Sequence, residues 1–258
     1  MRLLIVGEGK SGTTALMKSA AAAIPHAQES FEPLHLRDVT PTGPVVAKKL
    51  LASWDPTEAD YLSSYDRIVY IVRDPRDRLV SHLLYDAYNR GQNLTDPQTK
   101  RWIKAISRKV ARPTANPIVR LMDIWWQMTD ADLLQSYIRS MWRMSSFRRE
   151  FGDQVFTYKY EDLVAARFDE LNHYLSLELA PATVSGDEQR VLRSGTDGDW
   201  RHWFTSIDVN VFRSSTTKWL RRHGYDHHDW ELAETPAIDP DTSTKYVRDL
   251  LRQVRSGS

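Results

Sequence analysis

"RLLIVGEGKSGTTALMKSAAAAIP", residues 2–25, decides the fold class of this chain. Leu3–Val6 is short and wholly apolar, as expected of a strand buried on both faces of a parallel sheet. "ALMKSAAAAI" (15–24) has high helix propensity and stops at Pro25. Strand, glycine loop and helix therefore follow one another, as in the phosphate-binding motif G-x-x-x-x-G-K-[ST]. Gly7 and Gly12 fit its spacing, but Thr13 occupies the lysine's place and the lysine stands at Lys10. Backbone N–H groups at a helix N-terminus bind anions through unsatisfied donors and the helix dipole. Thr13 and Thr14 add hydroxyl donors there, and Lys10 adds a mobile positive charge. The alternative is a glycine turn with a surface lysine.

Further along, "PVVAKKL" (44–50) and "DRIVYIVRDPRD" (66–77) supply two more apolar runs, with Ile68–Val72 as the strand of the second. Pro75 suits the first turn of a helix that "LVSHLLYDAYNR" carries on to Gly91. "QVFTYKYEDL" (154–163) reads as a fourth strand, and "ARFDELNHYLSL" after it as a helix. Alternating strands and helices predict an α/β fold: one domain, a central parallel sheet of about four or five strands flanked by helices, in the P-loop NTPase-like three-layer arrangement. The stretch 93–150 is different, carrying Trp102, Trp125, Trp126 and Trp142 and the basic aromatic segment "YIRSMWRMSSFRREF". Large aromatics favour core packing there, with a lid over an acceptor as the alternative.

The 258 residues carry a formal net charge of +1, which gives no global argument for nucleic acid or membrane partners. With 41% hydrophobic residues the chain can bury a core, and without cysteine it has neither disulfides nor thiolate chemistry. No apolar run approaches the roughly 18 residues of a membrane span. "RLLIVG" is too short for a signal peptide, so a cytoplasmic location is expected.

The displaced lysine separates the possible ligands. Enzymes of Mg²⁺-triphosphate chemistry need acidic ligands for the metal beside the loop lysine. A sulfuryl group carries a single negative charge, and its transfer can proceed without a metal. Only Asp74 is near enough in sequence to a strand end to serve, inside "RDPRDRLVSHLLY" (73–85). There Arg73 ends a strand, where open α/β sheets bind ligands, and Ser81 lies about two turns into the helix. These two could hold a second phosphate, or Arg73 and Asp74 could form an ion pair with Ser81 merely packed. "RRHGYDHHDW" (221–230) lacks an ordered ligand set and reads as a solvated turn. Glu161–Asp162 reads as a structural cap.

"GKSGTT", "RDPRDRLVSHLLY", "YKYEDL" and "RSGTDGDWRHWFT" occur in this order. Together they resemble the signature segments of sulfotransferases that use 3′-phosphoadenosine 5′-phosphosulfate (PAPS), which read PKSGTT, RDPRD…S, YEDL and RKGxxGDW. The resemblance runs from residue 5 to about residue 205 and implies a sulfotransferase domain over 1–235, followed by a C-terminal connection and helix over 236–258. Within it, 93–150 is expected to be a helical insert that binds the acceptor. The resemblance implies that Lys10, Ser11, Gly12, Thr13 and Thr14 cradle the 5′-phosphosulfate, with Lys10 at the bridging oxygen. It implies that Arg73 and Ser81 bind the 3′-phosphate, that Tyr160 approaches the adenine, and that Arg193 and Gly195 close over the 3′-phosphate. No metal is expected.

Three departures bear on this reading. Glu8 and Ala15 replace the proline and tryptophan of the cytosolic class around the loop, and Ser194 replaces a basic residue. The catalytic histidine of that class, in KTH, has no counterpart in "AKKL" (47–50), although the resemblance implies that Lys48 keeps the lysine's catalytic role near the transferring sulfate. "QESFEPLHL" (28–36) resembles the EP segment of carbohydrate sulfotransferases, and Glu32 is the expected base, with His35 and Glu29 behind it. The expected reaction is sulfuryl transfer from PAPS to an acceptor hydroxyl on a carbohydrate or glycolipid, a phenol or hydrophobic alcohol being also permitted. The rivals are a Mg-ATP-dependent small-molecule kinase and a non-catalytic nucleotide- or glycan-binding module.

Overall fold

A computed structural model describes residues 1–40, 42–184 and 186–256. The strands are β1 (Arg2–Gly7), β2 (Gln28–Phe31), β3 (Val45–Leu50), β4 (Arg67–Val72) and β5 (Phe156–Lys159). The longer helices, in chain order, are α1 (Thr13–Ala23), α2 (Pro75–Arg90), α3 (Asp96–Ala111), α4 (Ile118–Thr129) and α5 (Leu133–Phe151). After β5 come α6 (Tyr160–Val164), α7 (Asp169–Leu175), α8 (Trp200–Trp203), α9 (Ser206–Arg222) and α10 (Tyr246–Ser256). The expected α/β class is borne out: one domain built on a parallel sheet of order β2-β3-β1-β4-β5, flanked by helices. Its residues group into two compact units, Met1–Arg73 with Ser140–Leu192, and Asp74–Arg139 with Arg193–Ser258.

The first unit holds the whole sheet. Leu3, Leu4, Ile5 and Val6 are completely buried, as a central strand with neighbours on both sides requires. β1 pairs with β3 in the register Leu3↔Val46 and with β4 in the register Leu3↔Arg67. Leu16, Met17 and Ala20 of α1 join Leu3, Ile5, Val46, Val69 and Ile71 in one apolar core. Because β3 lies on one side of β1 and β4 on the other, the strand order reverses at β1. The loop after β1 therefore leaves the sheet at its topological switch point, where α/β sheets bind ligands.

Two expectations about this sheet change. The fourth run ends earlier than expected: β5 stops at Lys159, and Tyr160, Glu161 and Asp162 open helix α6. β2 lies inside "QESFEPLHL", a segment with no strand signal of its own, because its four residues are too polar and too few to show a strand period.

In the second unit, α2 opens with Asp74 accepting from the Arg76 N–H and Pro75 in the first turn. Trp102 of α3 and Trp125 of α4 are fully buried, 4.6 Å apart, and Trp125 Nε1 donates to Asp86 at 2.7 Å. Core packing therefore holds for those two tryptophans, whereas Trp126 and Trp142 are exposed. α10 packs on α2. Among the described residues no helix is long and apolar enough to cross a membrane.

Candidate active site

The loop after β1 is shaped by close packing. A Cβ on Gly12 would come within 2.5 Å of the Tyr160 ring, and Gly12 has φ +88°, so glycine alone fits. Lys10 also takes a left-handed conformation, at φ 69°. The turn is closed by Ser11 N donating to Glu8 O at 3.2 Å, and Gly12 O accepts from Leu16 N. Among the described residues no side chain caps the N-terminus of α1, and its first turn holds no acid, so its N–H groups present a positive end. Ser11 is fully buried there, and its Oγ has no hydrogen-bond partner among the described residues. A buried hydroxyl left so is costly unless a polar ligand meets it.

Charge is arranged around this loop. Glu8, buried in the loop itself, accepts from Arg143 Nε at 2.7 Å, which offsets a carboxylate that would oppose an anion. Lys10 Nζ donates to the Val191 carbonyl at 2.6 Å. Lys48, on β3, donates to Thr14 Oγ1 at 2.9 Å and pairs with Glu32 Oε1 at 2.6 Å, while its ammonium sits 3.7 Å from the Phe31 ring centroid. Burial pushes the Lys48 pKa down, opposed by the bond to Glu32. Lys48 is 2% exposed, whereas the Glu32 side chain is 37% exposed, so the carboxylate faces water and the ammonium does not.

Glu32 ends β2 in a left-handed conformation, φ 49°, with its N–H on the Lys48 carbonyl at 3.0 Å. The other two candidate bases are committed elsewhere: Glu29 to Lys18, and His35, through Nδ1, to Glu58 at 3.3 Å. Arg73, at the end of β4, lies 4.1 Å from the Tyr160 ring centroid and donates to the Lys10 carbonyl at 3.2 Å. Of the expected site, the first unit thus gathers Lys10, Ser11, Gly12, Thr13, Thr14, Glu32, Lys48, Arg73 and Tyr160. Tyr160 packs under Gly12 and against Arg73, a place that the motif alone does not reveal.

Ser81, Arg193 and Gly195 belong to the second unit. Ser81 is buried on α2. Arg193 pairs with Asp199 at 2.6 Å through Nη2, and its buried Nε and Nη1 have no partner among the described residues. Gly195 and Gly198 have φ +64° and +75°. Asp77, 1% exposed, accepts from Gly198 N at 2.6 Å and Trp200 N at 2.8 Å, so the second and fifth residues of "RDPRD", both aspartates, have unlike roles. Asp77 fixes the "RSGTDGDW" loop, whereas Asp74 caps the start of α2 by accepting from the Arg76 N–H, and Arg76 lies 4.0 Å from the Trp200 ring centroid. Sequence reading missed Asp77, whose only signal is its recurrence within the motif.

Asp74, the one acid considered for a metal, pairs with Arg76 at 2.6 Å. In 221–230, His223 stacks on Trp219, and Asp229 holds Arg201, which lowers the Asp229 pKa and raises that of Arg201. Among the described residues no group of three or more His, Cys, Asp or Glu could hold a metal ion. Asp162 pairs with Arg167 at 2.7 Å.

No protein-family model and no curated protein matches the sequence. Among solved structures, the fold is similar to that of mouse sulfotransferase SULT7A1 complexed with PAP. The TM-score is 0.53 at 15% identity, covering 85% of this chain and 84% of that one.

Proposed function

We propose that this protein transfers the sulfuryl group of PAPS to a hydroxyl acceptor. One observation carries the reading: an uncapped helix N-terminus with a buried, unpartnered Ser11 hydroxyl stands beside a buried lysine, Lys48, that is paired with an exposed carboxylate, Glu32. The likeness in fold to a sulfotransferase complexed with PAP and the ordered motifs support it. The residues fit such a co-substrate, because the orphaned Ser11 hydroxyl suits an anionic oxygen and the loop's own carboxylate, Glu8, is neutralised by Arg143.

The co-substrate supplies an activated sulfuryl group on a phosphate leaving group. Ser11, Thr13, Thr14 and the α1 amides hold the 5′ anion, and Lys10 exchanges the Val191 carbonyl for it. Glu32 accepts the proton of the acceptor hydroxyl, and Lys48 holds that carboxylate in place and, with Lys10, stabilises charge on the leaving phosphate. Arg73 keeps its assignment to the 3′-phosphate, with Tyr160 near the adenine; Ser81, Arg193 and Gly195 keep theirs from the motif resemblance. Among acceptors, the placement of Glu32 within the "FEP" segment favours a sugar hydroxyl on a glycan or glycolipid.

Thermal stabilisation by adenosine 3′,5′-bisphosphate, beside ATP with and without Mg²⁺, tests this reading. A ligand that binds only the folded state stabilises by about RT ln(1 + [L]/Kd). The expected result is a shift with the bisphosphate that Arg73→Ala diminishes. A shift with Mg²⁺-ATP alone would reject the reading in favour of a kinase, and bisphosphate binding without turnover across an acceptor screen would leave a binding module.

A further inference from the structure

Beside Lys48 on β3 stands Lys49, which the reaction outlined above does not use. It is completely buried, and so is Glu58 at 1% exposure, in the 3₁₀ helix Pro56–Ser64. Lys49 Nζ is 3.2 Å from Glu58 Oε1 and donates to the carbonyls of Pro33 at 3.0 Å and Leu34 at 2.6 Å. An ammonium has three N–H donors, and all three are used here. Glu58 Oε2 accepts from the Leu36 N–H at 2.7 Å, and Oε1 faces His35 Nδ1. Apart from the bond joining the two, every hydrogen bond named for the pair's side chains ends on residues 33–36.

That pattern does not serve stability best. A buried ion pair loses hydration on both partners, and apolar residues of similar volume are often equally or more stable in its place. What an apolar pair could not do is grip two carbonyls and an N–H within the four residues 33–36. Those residues follow Glu32 directly, and Glu32 sits in the left-handed region that a non-glycine residue adopts only when its surroundings hold it.

We propose that the buried Lys49–Glu58 pair positions Glu32. It anchors the chain on one side of β3, so that the left-handed turn delivers the carboxylate to Lys48 on the other side. Both residues are positioning residues. The consequence for turnover rests on the proposed sulfuryl transfer; the positioning itself does not.

The test is amide hydrogen exchange in the full chain, comparing the wild type with Lys49→Met/Glu58→Leu. In the wild type the Glu32 N–H is bonded to the Lys48 carbonyl and the Leu36 N–H to Glu58. In the double variant both amides should exchange at least about tenfold faster, while the β1 and β3 amides stay within about twofold. Bisphosphate-induced stabilisation and the KM for the nucleotide should hold, and kcat should fall at least about tenfold, since misplacing a reacting group costs rate rather than nucleotide affinity. Faster exchange at Leu36 with an unchanged Glu32 amide overturns the inference, as does wild-type kcat with both amides freed. If the double variant does not fold, Glu58→Gln, which removes the charge and turns one of the two acceptor oxygens into an NH2 donor, is judged by the same exchange criterion. Absence of any bisphosphate shift in the wild type counts against the sulfuryl reading alone, because the exchange result needs no ligand.

Discussion

The two sides of β3 use the same residue type in opposite ways. Lys48 and Lys49 are neighbours, both buried, and strand alternation sends their side chains to opposite faces. On one face Lys48 meets a hydroxyl, an aromatic ring and a carboxylate that is partly in water. On the other, Lys49 meets a fully buried carboxylate and two carbonyls. Burial of an ammonium is thus answered on one face by groups that can exchange partners, and on the other by groups that cannot. The first arrangement suits chemistry and the second holds backbone.

The sharpest way to break this contrast is Lys49→Ala. It leaves the Glu58 carboxylate buried and uncompensated, and loss of one partner of a buried pair costs about 3–5 kcal/mol. A fall in Tm of roughly 6–20 °C is expected by thermal denaturation; a change under about 2 °C would mean that Lys49 bears no structural load. Lys48→Met should do the reverse. Its partner carboxylate is partly solvated, so Tm should stay within about 2 °C. The rate of sulfuryl transfer should nevertheless drop about 10²–10³-fold, as for removal of a preorganised electrostatic donor.

Glu32→Gln sharpens the same face. Turnover should drop about 10²-fold with nucleotide binding retained, as for loss of a general base. Equal kcat in the variant would move the base elsewhere.

A smaller effect separates the faces by pH. The folded-state pKa of Lys48 is lowered below its ordinary 10.5 by burial, so the unfolded chain binds the proton more tightly. Between the folded and unfolded values the unfolded state carries more protons, and stability rises with pH through that window. Lys109, whose pKa burial lowers to about 8, adds a rise of the same sign up to 10.5. The difference between wild type and Lys48→Met isolates Lys48: denaturant melts from pH 8 upward should rise more steeply in the wild type. Smallest of all, Phe31→Ala removes a cation–π contact worth about 0.5–1 kcal/mol at a partly exposed site, with a Tm decrease of roughly 1–4 °C.

Much of the frame was legible in the sequence because it rests on local signals. The apolar run Leu3–Val6, the glycine at 12 and the alanine-rich stretch up to Pro25 each report on their immediate neighbours, and they yield β1, the loop and α1. β2 escaped notice because a short polar edge strand has no period to show. Tyr160 reads as strand in the sequence because the β-prone "VFTYKY" continues past the point where α6 begins. Trp102 and Trp142 look alike in sequence, yet one is fully buried and the other exposed. The burial of a single aromatic depends on what packs against it.

By itself the sequence determined a parallel α/β frame with an anion-ready loop after its first strand, since propensity, periodicity and glycine conformation act over a few residues. Only the tertiary structure decided that Glu32 meets Lys48, that Glu58 and residues 33–36 claim Lys49, and that Arg143 neutralises Glu8. Two adjacent lysines carry the same charge and the same propensity. What distinguishes them is the face each takes on β3 and the segments that the strand order β2-β3-β1 brings against that face, which no local pattern encodes.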